Sequence, residues 1–558
     1  MPPNPPESQE ETPFSNKNIK LVLHQGLLAA QLNDEQATRA RRMGVGSPQP
    51  AWKCWVFPSD VLTAWRVYQE FKDEIVSVAP EVKELVGKYS AQQAAKTLDC
   101  LDDIPGLKRS AWNHQRQAYH FGYSLEGLLL AMGMGTGKTF TTIGLIENRA
   151  GKTILIICPK SVIDVWPQEF KKHSWKHYDI CTLKKGTGSD KKNQAEVAMQ
   201  VHKATKTPLA VIVNYESVWR EPLGQFLLKQ EWDHVIFDEC HRVKSASGKA
   251  SRFCAKFVGR SKYRIGLTGT PMPHSPLDIY AQGRAIDPSV FGTSNNRFKQ
   301  RYALYGGFNN KQVLKFINQD EMHIKFEQFA YQVGNDVLDL PPVTHTHRTC
   351  ELEPEARKAY EAMEKELYCQ IESGEVTAAN ALVKLLRLQQ IASGYIRTDE
   401  EQVIQVSSAK QDLLADILSD IDKSEPLVIF AVFRSDIQAI RTALTEAGRS
   451  VSELSGSVNQ LKEWQDGETN SIVVQMRSGG VGIDLTRSAI QLYYSVGHSL
   501  GDYEQSLART HRPGQTRAVR FIHLIAENTV DQSIYAALDK KKESVTYVLQ
   551  TLKEKYRR

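Results

Sequence analysis

Residues 128–142 read LLLAMGMGTGKTFTT, and this stretch decides how the rest of the chain is interpreted. The apolar run at 128–131 is typical of a buried parallel strand, and Lys138 opens a predicted helix after a glycine-rich turn. In such a turn, backbone N–H groups and the helix N-terminus converge on an anion, the lysine pairs with phosphate, and the next hydroxyl reaches Mg²⁺. The pattern therefore predicts a phosphate-binding loop made of Gly135, Thr136, Gly137, Lys138 and Thr139.

The loop departs from the pattern G-x-x-x-x-G-K-[ST] at its first position, which holds Met132. Glycine at 135 and 137 still lets the backbone close on phosphates, because glycine adopts the required conformations without strain. Taken alone, the motif has a simpler alternative, a glycine-rich turn between a strand and a helix.

Length and composition indicate a large globular protein. The 558 residues are enough for about three to four domains. Hydrophobic residues make up 41% and charged residues 24%, without an apolar run long enough to span a membrane. The start of the chain, MPPNPPESQEETPFSN, is Pro-rich and acidic, so we predict a disordered tail at 1–18 rather than a secretory signal. We expect a cytoplasmic protein that is not secreted and has no membrane partner.

The cysteine spacing argues against two kinds of site, and the net charge bears on the type of partner. The eight cysteines include no C-x-x-C pair, which argues against a zinc ribbon and against a disulfide framework. The formal net charge of +6 fits an anionic partner, although it is weak evidence by itself.

Residues 19–78 are predicted to form a small N-terminal α/β module. A strand-like run, KLVLH, is followed by a helix-like segment and by an aromatic strand around Trp52 and Phe57. Trp65 and Tyr68 then recur at helical spacing. These aromatic side chains either stack on DNA or form the core of the module, and the second interpretation is favoured.

Two sets of apolar runs predict two parallel α/β sheets. The first set is LLLA (128–131), TILIIC (153–158), LAVIVNY (209–215), HVIFDEC (234–240) and YRIGLTG (263–269). The second set is HTHRTCEL (345–352), PLVIFAVF (426–433), SIVVQM (471–476), AIQLYYS (489–495) and VRFIHLIA (519–526). We place the first lobe at 79–286, a helical insertion and linker at 287–344, the second lobe at 345–530 with a helical arm at 354–391, and a C-terminal helix at 531–558.

An acidic pair, Asp238-Glu239, stands at the predicted end of a first-lobe strand. Nucleotide hydrolysis needs one carboxylate for Mg²⁺ and another to orient the attacking water. We assign Asp238 to the metal, together with Thr139, and Glu239 to the water. Adjacent acids at a strand end are commonly only a solvated turn, but a phosphate loop in the same unit favours the catalytic interpretation.

The chain resembles the Swi/Snf-type branch of the superfamily-two helicase-like ATPases. The resemblance is carried by DECH with Arg242 and Lys244, by GLTGTP at 266–271 and by QSLARTHRPGQ at 505–515, and it extends from about Gln115 to Glu527. It implies two tandem RecA-like parallel-sheet lobes with helical insertions, ATP and Mg²⁺ as substrate and cofactor, and DNA as partner.

The resemblance also implies roles for individual residues around the nucleotide. Gln115 matches the glutamine that reads the adenine edge, and RSGGVGIDL at 477–485 matches a segment that approaches nucleotide and DNA phosphate. The further nucleotide-site residues implied in this way are Gly482, Asp484, Gln505, Arg509 and Arg512.

A second group of matches lies on the DNA side. ICPKSVIDVWPQEF resembles a motif in which Lys160 and Ser161 lie near the DNA backbone and Trp166 packs structurally. NYES at 214–217 also matches a DNA-side motif, and the segment 268–270 matches one that couples nucleotide state to DNA grip. The implied DNA contacts are Lys160, Ser161, Thr270, Gly479 and Gly480.

Two arginines, Arg509 and Arg512, match the pair that faces the γ-phosphate across the cleft. Phosphoryl transfer spreads negative charge over the equatorial oxygens, which a bidentate cation stabilises. At a spacing of three residues, a helix would put both on one face. Surface salt bridging is the alternative interpretation.

The chain departs from the family pattern at two places. Met132-Gly133 stands where an acidic pair is usual, and Asp484 stands where asparagine is usual. We therefore expect altered contacts around the loop, while phosphate binding is retained.

The predicted function is a DNA-dependent ATPase motor that translocates on double-stranded DNA. Two alternatives remain open at this stage. One is a remodeller of forked or branched DNA, or a strand-unwinding helicase, in which the N-terminal module recognises junctions. The other is a DNA clamp that ATP switches without movement.

Overall fold

The structure is a computed structural model that describes most of the chain. The described residues are 19–43, 46–99, 101–149, 151–273, 275–307, 312–372, 378–397, 402–479, 483–540, 547–548, 551 and 554–555. The predicted tail at 1–18 and most of the predicted C-terminal helix beyond residue 540 lie outside them. No helix among the described residues is both long and apolar enough to cross a membrane.

The N-terminal unit is a mixed sheet with three helices. Its elements are β1 (Ile19–His24), β2 (Leu27–Ala30), α1 (Asp34–Met43), β3 (Ser47–Gln49), β4 (Cys54–Pro58), α2 (Val61–Phe71), β5 (Ile75–Val78) and α3 (Pro80–Ala95). The strand order is β3-β4-β2-β1-β5, with β1 and β5 parallel and the other pairs antiparallel. Of the aromatic residues singled out from the sequence, Phe57 of β4 is buried in the core and Tyr68 packs against it, whereas Trp52 lies before β4 and is partly exposed.

Lobe 1 is built on a parallel sheet. Its strands are β6 (Gly127–Met132), β7 (Thr153–Cys158), β8 (Asp179–Thr182), β9 (Leu209–Asn214), β10 (Trp232–Asp238), β11 (Ser261–Thr268) and β14 (Ala330–Val333), and β12 (Ala303–Gly306) and β13 (Gln312–Phe316) form a separate hairpin. Its helices are α4 (Asn113–Tyr123), α5 (Lys138–Asn148), α6 (Val165–His173), α7 (Gly188–Thr205), α8 (Tyr215–Val218), α9 (Leu223–Lys229), α10 (Lys249–Cys254), α11 (Ile279–Ile286), α12 (Pro288–Phe291), α13 (Asn295–Tyr302) and α14 (Gln319–Phe329).

The order of the lobe 1 sheet is β14-β6-β11-β10-β7-β9-β8. All five predicted strands are present, and they form the interior of the sheet. The edge strand β14 corrects the prediction, because it lies inside the stretch 287–344 that we placed outside the lobe. Its ladder to β6 runs from Ala330 against Leu129 to Val333 against Met132. Only part of this short strand is buried, so its sequence lacks the continuous apolar run of an interior strand.

Lobe 2 repeats the parallel α/β plan. Its strands are β15 (Val343–Cys350), β16 (Tyr395–Arg397), β17 (Val403–Gln405), β18 (Leu427–Ala431), β19 (Val451–Leu454), β20 (Ser471–Gln475), β21 (Ile490–Tyr493) and β22 (Val519–Ala526). Its helices are α15 (Pro354–Glu372), α16 (Ala378–Ala392), α17 (Ala409–Ser419), α18 (Arg434–Glu446), α19 (Leu461–Gln465), α20 (Met476–Gly479), α21 (Leu500–Thr510) and α22 (Val530–Asp539).

The lobe 2 sheet has the order β15-β22-β21-β18-β20-β19, with β16 and β17 as a separate hairpin. The predicted arm at 354–391 contains α15 and α16. In both lobes, successive residues of the central strands pack into clusters on opposite faces of the sheet, so helices cover both faces. The predicted fold class, two parallel α/β lobes with a small N-terminal α/β unit, is confirmed.

Lys96, which follows α3, attaches this helix to lobe 1. Its Nζ donates to the carbonyl of Glu327 at 2.7 Å and lies 4.5 Å from the ring centroid of Phe121. Burial lowers the pKa of Lys96 to about 8, against a smaller opposing effect of the Glu327 carboxylate. Between pH 8 and the ordinary pKa of 10.5, Lys96 is more often protonated in the unfolded chain than in the folded protein. The free energy of unfolding therefore rises with pH across this range.

We expect Lys96→Met to stabilise the protein at pH 7, by an amount on the order of 1 kcal/mol, since the buried charge is removed. The advantage should shrink at pH 10, where the folded protein already holds Lys96 neutral. Thermal unfolding at both pH values measures the difference. Lys88→Met on the exposed side of α3 is the control, and an equal gain at both pH values would contradict the argument.

Candidate nucleotide site between the lobes

The phosphate loop connects β6 to α5 as predicted from the sequence. Every residue of β6 is buried, and α5 begins at Lys138. Gly135 and Gly137 have φ angles of +78° and +90°, which only glycine adopts readily. A Cβ on Gly137 would collide with the amide of Gln115, so this position tolerates no side chain for a second reason.

Lys138 lies at the base of the loop. Its Nζ donates to the carbonyl oxygens of Met132 at 2.9 Å and Gly133 at 3.0 Å. Burial lowers its pKa, while the carboxylates of Glu239 and Asp238 act in the opposite direction. The ammonium group therefore stands close to both predicted acidic residues, and Thr139 follows it in the first turn of α5.

The acidic pair lies at the carboxyl end of β10, between β11 and β7. Asp238 Oδ2 accepts a hydrogen bond from Trp166 Nε1 at 3.0 Å, and the Asp238 carbonyl accepts one from Tyr215 at 2.8 Å. Burial, followed by the charge of Glu239, raises the pKa of Asp238 to about 7. The predicted structural packing of Trp166 is therefore accompanied by a polar contact that its sequence motif did not indicate.

Trp166→Phe tests this contact. Phenylalanine keeps most of the buried ring volume but cannot donate to Asp238, and we expect kcat for ATP hydrolysis to fall about tenfold, because a hydrogen bond to a buried carboxylate is lost. Trp464→Phe is the matched control, since Trp464 is equally buried and its Nε1 has no hydrogen-bond partner within the described residues. Equal kcat values for the two variants would contradict the prediction.

Glu239 adopts a left-handed backbone conformation, with φ of +51°, at the turn after β10. Its Oε2 lies 3.3 Å from His241 Nδ1, and the same nitrogen is 3.1 Å from Thr268 Oγ1. Thr268 Oγ1 in turn accepts from the backbone N–H of Thr270 at 3.1 Å. A short polar chain therefore connects the predicted catalytic acid to the segment 268–270, and burial lowers the pKa of His241 within it.

The two lobe 2 arginines do not share one helix. Helix α21 ends at Thr510, so Arg509 is in its last turn while Arg512 lies in the turn beyond. Here the predicted common helical face is wrong, because Pro513-Gly514 follow and α21 stops short of them. Arg512 Nη1 donates to the carbonyl of Ile483 at 3.1 Å, which fixes this turn against the preceding segment.

The lobes nevertheless meet at this turn. Burial lowers the pKa of Arg509 to about 10, with a further lowering by Arg512 and an opposing effect of Glu239 across the cleft. Pro513 packs so closely on the phosphate loop that a Cβ on Gly135 would lie 3.0 Å from its Cδ. Residues predicted to act together, although far apart in sequence, are therefore near one another.

Gln115 is buried with both ends of its amide engaged. Its Oε1 accepts from the N–H of Trp112 at 3.1 Å, and its Nε2 donates to the carbonyl of Thr136 at 2.9 Å. His114 Nε2 donates to the same carbonyl at 2.8 Å. Both residues therefore support the phosphate loop here, and adenine recognition by Gln115 stays a prediction. Sequence reasoning missed His114, which has no signal beyond its place beside Gln115.

The remaining nucleotide-site predictions have mixed positions. Gln505 is buried on α21. Asp484 is exposed, and its Oδ1 accepts from the N–H and hydroxyl of Thr486 at 2.9 and 2.6 Å, as in a local turn. Gly482 lies outside the described residues. A nucleotide contact by Gln505, Asp484 and Gly482 stays a prediction, and so does the DNA contact of Gly480, which also lies outside the described residues.

The predicted DNA contacts follow strand ends. Lys160 and Ser161 are exposed in the turn after β7, and Thr270 follows β11. Helix α20 follows β20 directly, and Gly479 is its last residue. The carboxyl ends of parallel strands meet at one edge of a sheet. In each lobe, the predicted DNA contacts therefore lie on the same edge as the predicted nucleotide contacts.

Comparison with known proteins agrees with this geometry. Residues 57–394 match the SNF2-related domain, and residues 409–514 match the helicase conserved C-terminal domain. The first match covers more than half of the chain. The chain belongs to the SNF2-related family. As a member of this family of helicase-like ATPases, it is an ATP hydrolase.

Individual relatives are distant. Putative protein p41 of Acyrthosiphon pisum secondary endosymbiont phage 1 is 26% identical over 76% of this chain and 94% of its own length. The chromodomain-helicase-DNA-binding protein 1-like of Danio rerio is 24% identical, covering 74% of the chain but 41% of that protein. The DNA annealing helicase and endonuclease ZRANB3 of Bos taurus is 25% identical, covering 84% and 43%. The SNF2-related chain thus spans less than half of these two animal proteins.

Among solved structures, the SWI2/SNF2 ATPase core of Sulfolobus solfataricus in complex with dsDNA covers 79% of the chain and 93% of its own. The sequence identity is 23% and the TM-score is 0.38.

Proposed function

We propose that this SNF2-related protein is a DNA-dependent ATPase motor that translocates on double-stranded DNA and hydrolyses ATP between its two lobes. The observation that carries the proposal is the close packing of the arginine-bearing turn of lobe 2 on the phosphate loop of lobe 1, where a Cβ on Gly135 would lie 3.0 Å from Pro513 Cδ and 3.7 Å from Arg512 Cβ. A site divided between two lobes requires them to come together for hydrolysis, which converts each ATP turnover into relative movement.

The donor set fits ATP with Mg²⁺. Thr139 and Asp238 supply hydroxyl and carboxylate oxygens, the ligand type that Mg²⁺ prefers, and the metal would neutralise charge on the β- and γ-phosphates. Among the described residues, the buried Glu239 Oε2 accepts no hydrogen bond, so it keeps an unfilled acceptor position for the attacking water of this proposal. In this proposal Lys138 binds phosphate, Glu239 orients the attacking water, and Arg509 stabilises the charge that develops on the transferred group.

DNA binding is supported by two kinds of observation. The exposed Lys160 and Ser161 stand at the edge of lobe 1 where an extended phosphate backbone would have access. Two relatives carry names that include DNA binding or DNA annealing. Contacts to phosphate do not depend on sequence, so affinity should fall steeply with salt.

Steady-state ATP hydrolysis tests the proposal. The protein is assayed with Mg²⁺ alone and then with saturating double-stranded, single-stranded or forked DNA, beside Lys138→Ala as the inactive control and Lys171→Ala as a control on an exposed lysine. Strong stimulation by plain duplex, absent in Lys138→Ala, supports a duplex motor. Stimulation only by forks or single strands supports the remodeller or helicase, and no stimulation by any DNA refutes DNA dependence.

Movement is tested separately by displacement of a triplex-forming strand from duplex DNA. A motor displaces the strand at a rate that follows ATP turnover. DNA-stimulated hydrolysis without displacement would instead identify a clamp whose affinity for DNA is switched by ATP.

Fork recognition by the N-terminal unit is the second candidate, and it is considered because the Bos taurus relative is named a DNA annealing helicase. Trp52 is partly exposed and its ring packs edge-on against His24, with centroids 4.5 Å apart, whereas Trp65 packs on Tyr89 at 4.8 Å. Trp52→Ala and Trp65→Ala are compared by duplex-versus-fork stimulation. If fork preference survives both changes with the fold intact, this unit does not recognise the junction.

A further inference from the structure

The connection between the lobes begins on the phosphate loop itself. The β14–β6 ladder ends with Val333 opposite Met132 and continues by one bond, from the N–H of Gly133 to the carbonyl of Val333 at 2.8 Å. The chain then leaves lobe 1 as residues 334–342, which we call the linker, and enters lobe 2 at β15. Gly133, two residues before Gly135 of the phosphate loop, therefore anchors the start of the linker.

The same residue also holds the lysine. The carbonyl of Gly133 accepts hydrogen bonds from Lys138 Nζ at 3.0 Å and from the hydroxyl of Thr136 at 2.7 Å. Its N–H thus binds the strand that becomes the linker, while its C=O binds the phosphate-contacting side chain. A change in the hydrogen-bond partners of Lys138 therefore acts on the Gly133 peptide, whose N–H is bonded to the strand that leads into the linker.

The linker packs on the loop without room for a side chain. A Cβ on Gly133 would collide with Asn335 Oδ1 and would lie 3.0 Å from the carbonyl carbon of Gly334. Further along, Leu338 Cδ1 would lie 3.7 Å from a Cβ on Gly135. Asn335 therefore packs against Gly133, and Leu338 packs against Gly135 of the phosphate loop.

The far end of the linker contacts the arginine-bearing turn. His511, between Arg509 and Arg512, donates from Nε2 to the carbonyl of Pro341 at 2.8 Å. The N–H of Val519 in β22 donates to the carbonyl of Pro342 at 3.0 Å. The linker therefore touches both halves of the nucleotide site.

We propose that the linker is a strap that transmits nucleotide occupancy from the phosphate loop to the arginine-bearing turn, with Asn335 as a positioning residue. Lys138 Nζ donates two of its three protons to the carbonyls of Met132 and Gly133, so binding an oxygen of both the β- and the γ-phosphate takes at least one of these two bonds. The Gly133 carbonyl then keeps the Thr136 hydroxyl but has a weaker hold on Lys138, and the Gly133 peptide shifts together with the linker bound to its N–H. This inference rests on the proposed nucleotide site, but not on DNA binding or translocation.

Hydrogen exchange with a non-hydrolysable ATP analogue and Mg²⁺ tests the strap. In the unaltered protein we expect the analogue to change exchange in residues 133–139 and in the linker together. In Gly133→Ala the loop should still be protected, while the response of the linker falls at least about threefold, because the new methyl group pushes Asn335 away. Asn335→Ala alone, which removes the same contact without adding volume at Gly133, should lower the response of the linker by a similar factor.

Two further variants keep the test decisive. Leu338→Ala removes the contact over Gly135 and should weaken the response of the linker even if Gly133→Ala fails to fold. Val337→Ala, at a linker residue that is 41% exposed, is the control and should leave the response unchanged. If the analogue protects the loop in both Gly133→Ala and Leu338→Ala, and the linker of both variants still responds normally, the strap is refuted while the nucleotide site is not. An analogue that fails to protect the loop of the unaltered protein overturns the nucleotide site as well.

Discussion

Glu239→Gln should lower kcat for ATP hydrolysis by at least about 100-fold while ATP still binds. Glutamine keeps the size of the side chain at the turn after β10 but cannot accept a proton from the attacking water. The carboxylate is held 3.3 Å from His241, and its buried Oε2 accepts no hydrogen bond within the described residues, so an acceptor position on it remains unfilled. The neutral amide leaves Lys138 in place to bind the phosphates, and it leaves Asp238 in place as a ligand for Mg²⁺.

Phosphate release and the binding of a fluorescent ATP analogue, measured on the same preparation, check this expectation. Glu231→Gln is the matched control, because Glu231 is exposed immediately before β10, at the opposite end of the strand. If Glu239→Gln keeps more than about a tenth of kcat, another group orients the water.

Arg509→Ala and Arg512→Ala should each lower kcat by about 1,000-fold. The reason is that negative charge grows on the transferred phosphoryl group only as it moves, so a cation placed there stabilises the transition state more than bound ATP. Burial and the neighbouring Arg512 lower the pKa of Arg509 to about 10, yet it remains charged at neutral pH. The dissociation constant for ATP should therefore change by less than about tenfold.

The matched control is Arg517→Ala, on the surface of the same lobe, where Arg517 Nη1 pairs with Glu425 Oε1 at 2.8 Å. Its kcat should remain close to that of the unaltered protein, because an exposed ion pair contributes little. Arg509→Lys should recover part of the activity, since lysine keeps the charge but loses the planar fork. A loss of ATP binding proportional to the loss of kcat would show that the arginines act in the ground state.

The interior strands of both lobes are predictable from sequence because they are buried on both faces. Their continuous apolar runs are visible without any alignment, as at 154–158 and 427–431. The strands that we missed in the lobe sheets, β8, β14 and β19, are edge strands of four residues each. An edge strand needs apolar residues at fewer positions, so β14 was hidden in a stretch that otherwise indicates an insertion.

The sequence by itself determined the local chemistry of this protein: a glycine loop with Lys138, an acidic pair ending a strand, and arginines near position 510. Each is a short pattern whose spacing follows from backbone geometry. Only the tertiary structure decided the contacts between distant segments, including Trp166 with Asp238, Asn335 with Gly133, and the position of Arg509 opposite Glu239. Such contacts depend on how whole lobes and their connections pack, and no local periodicity records that packing.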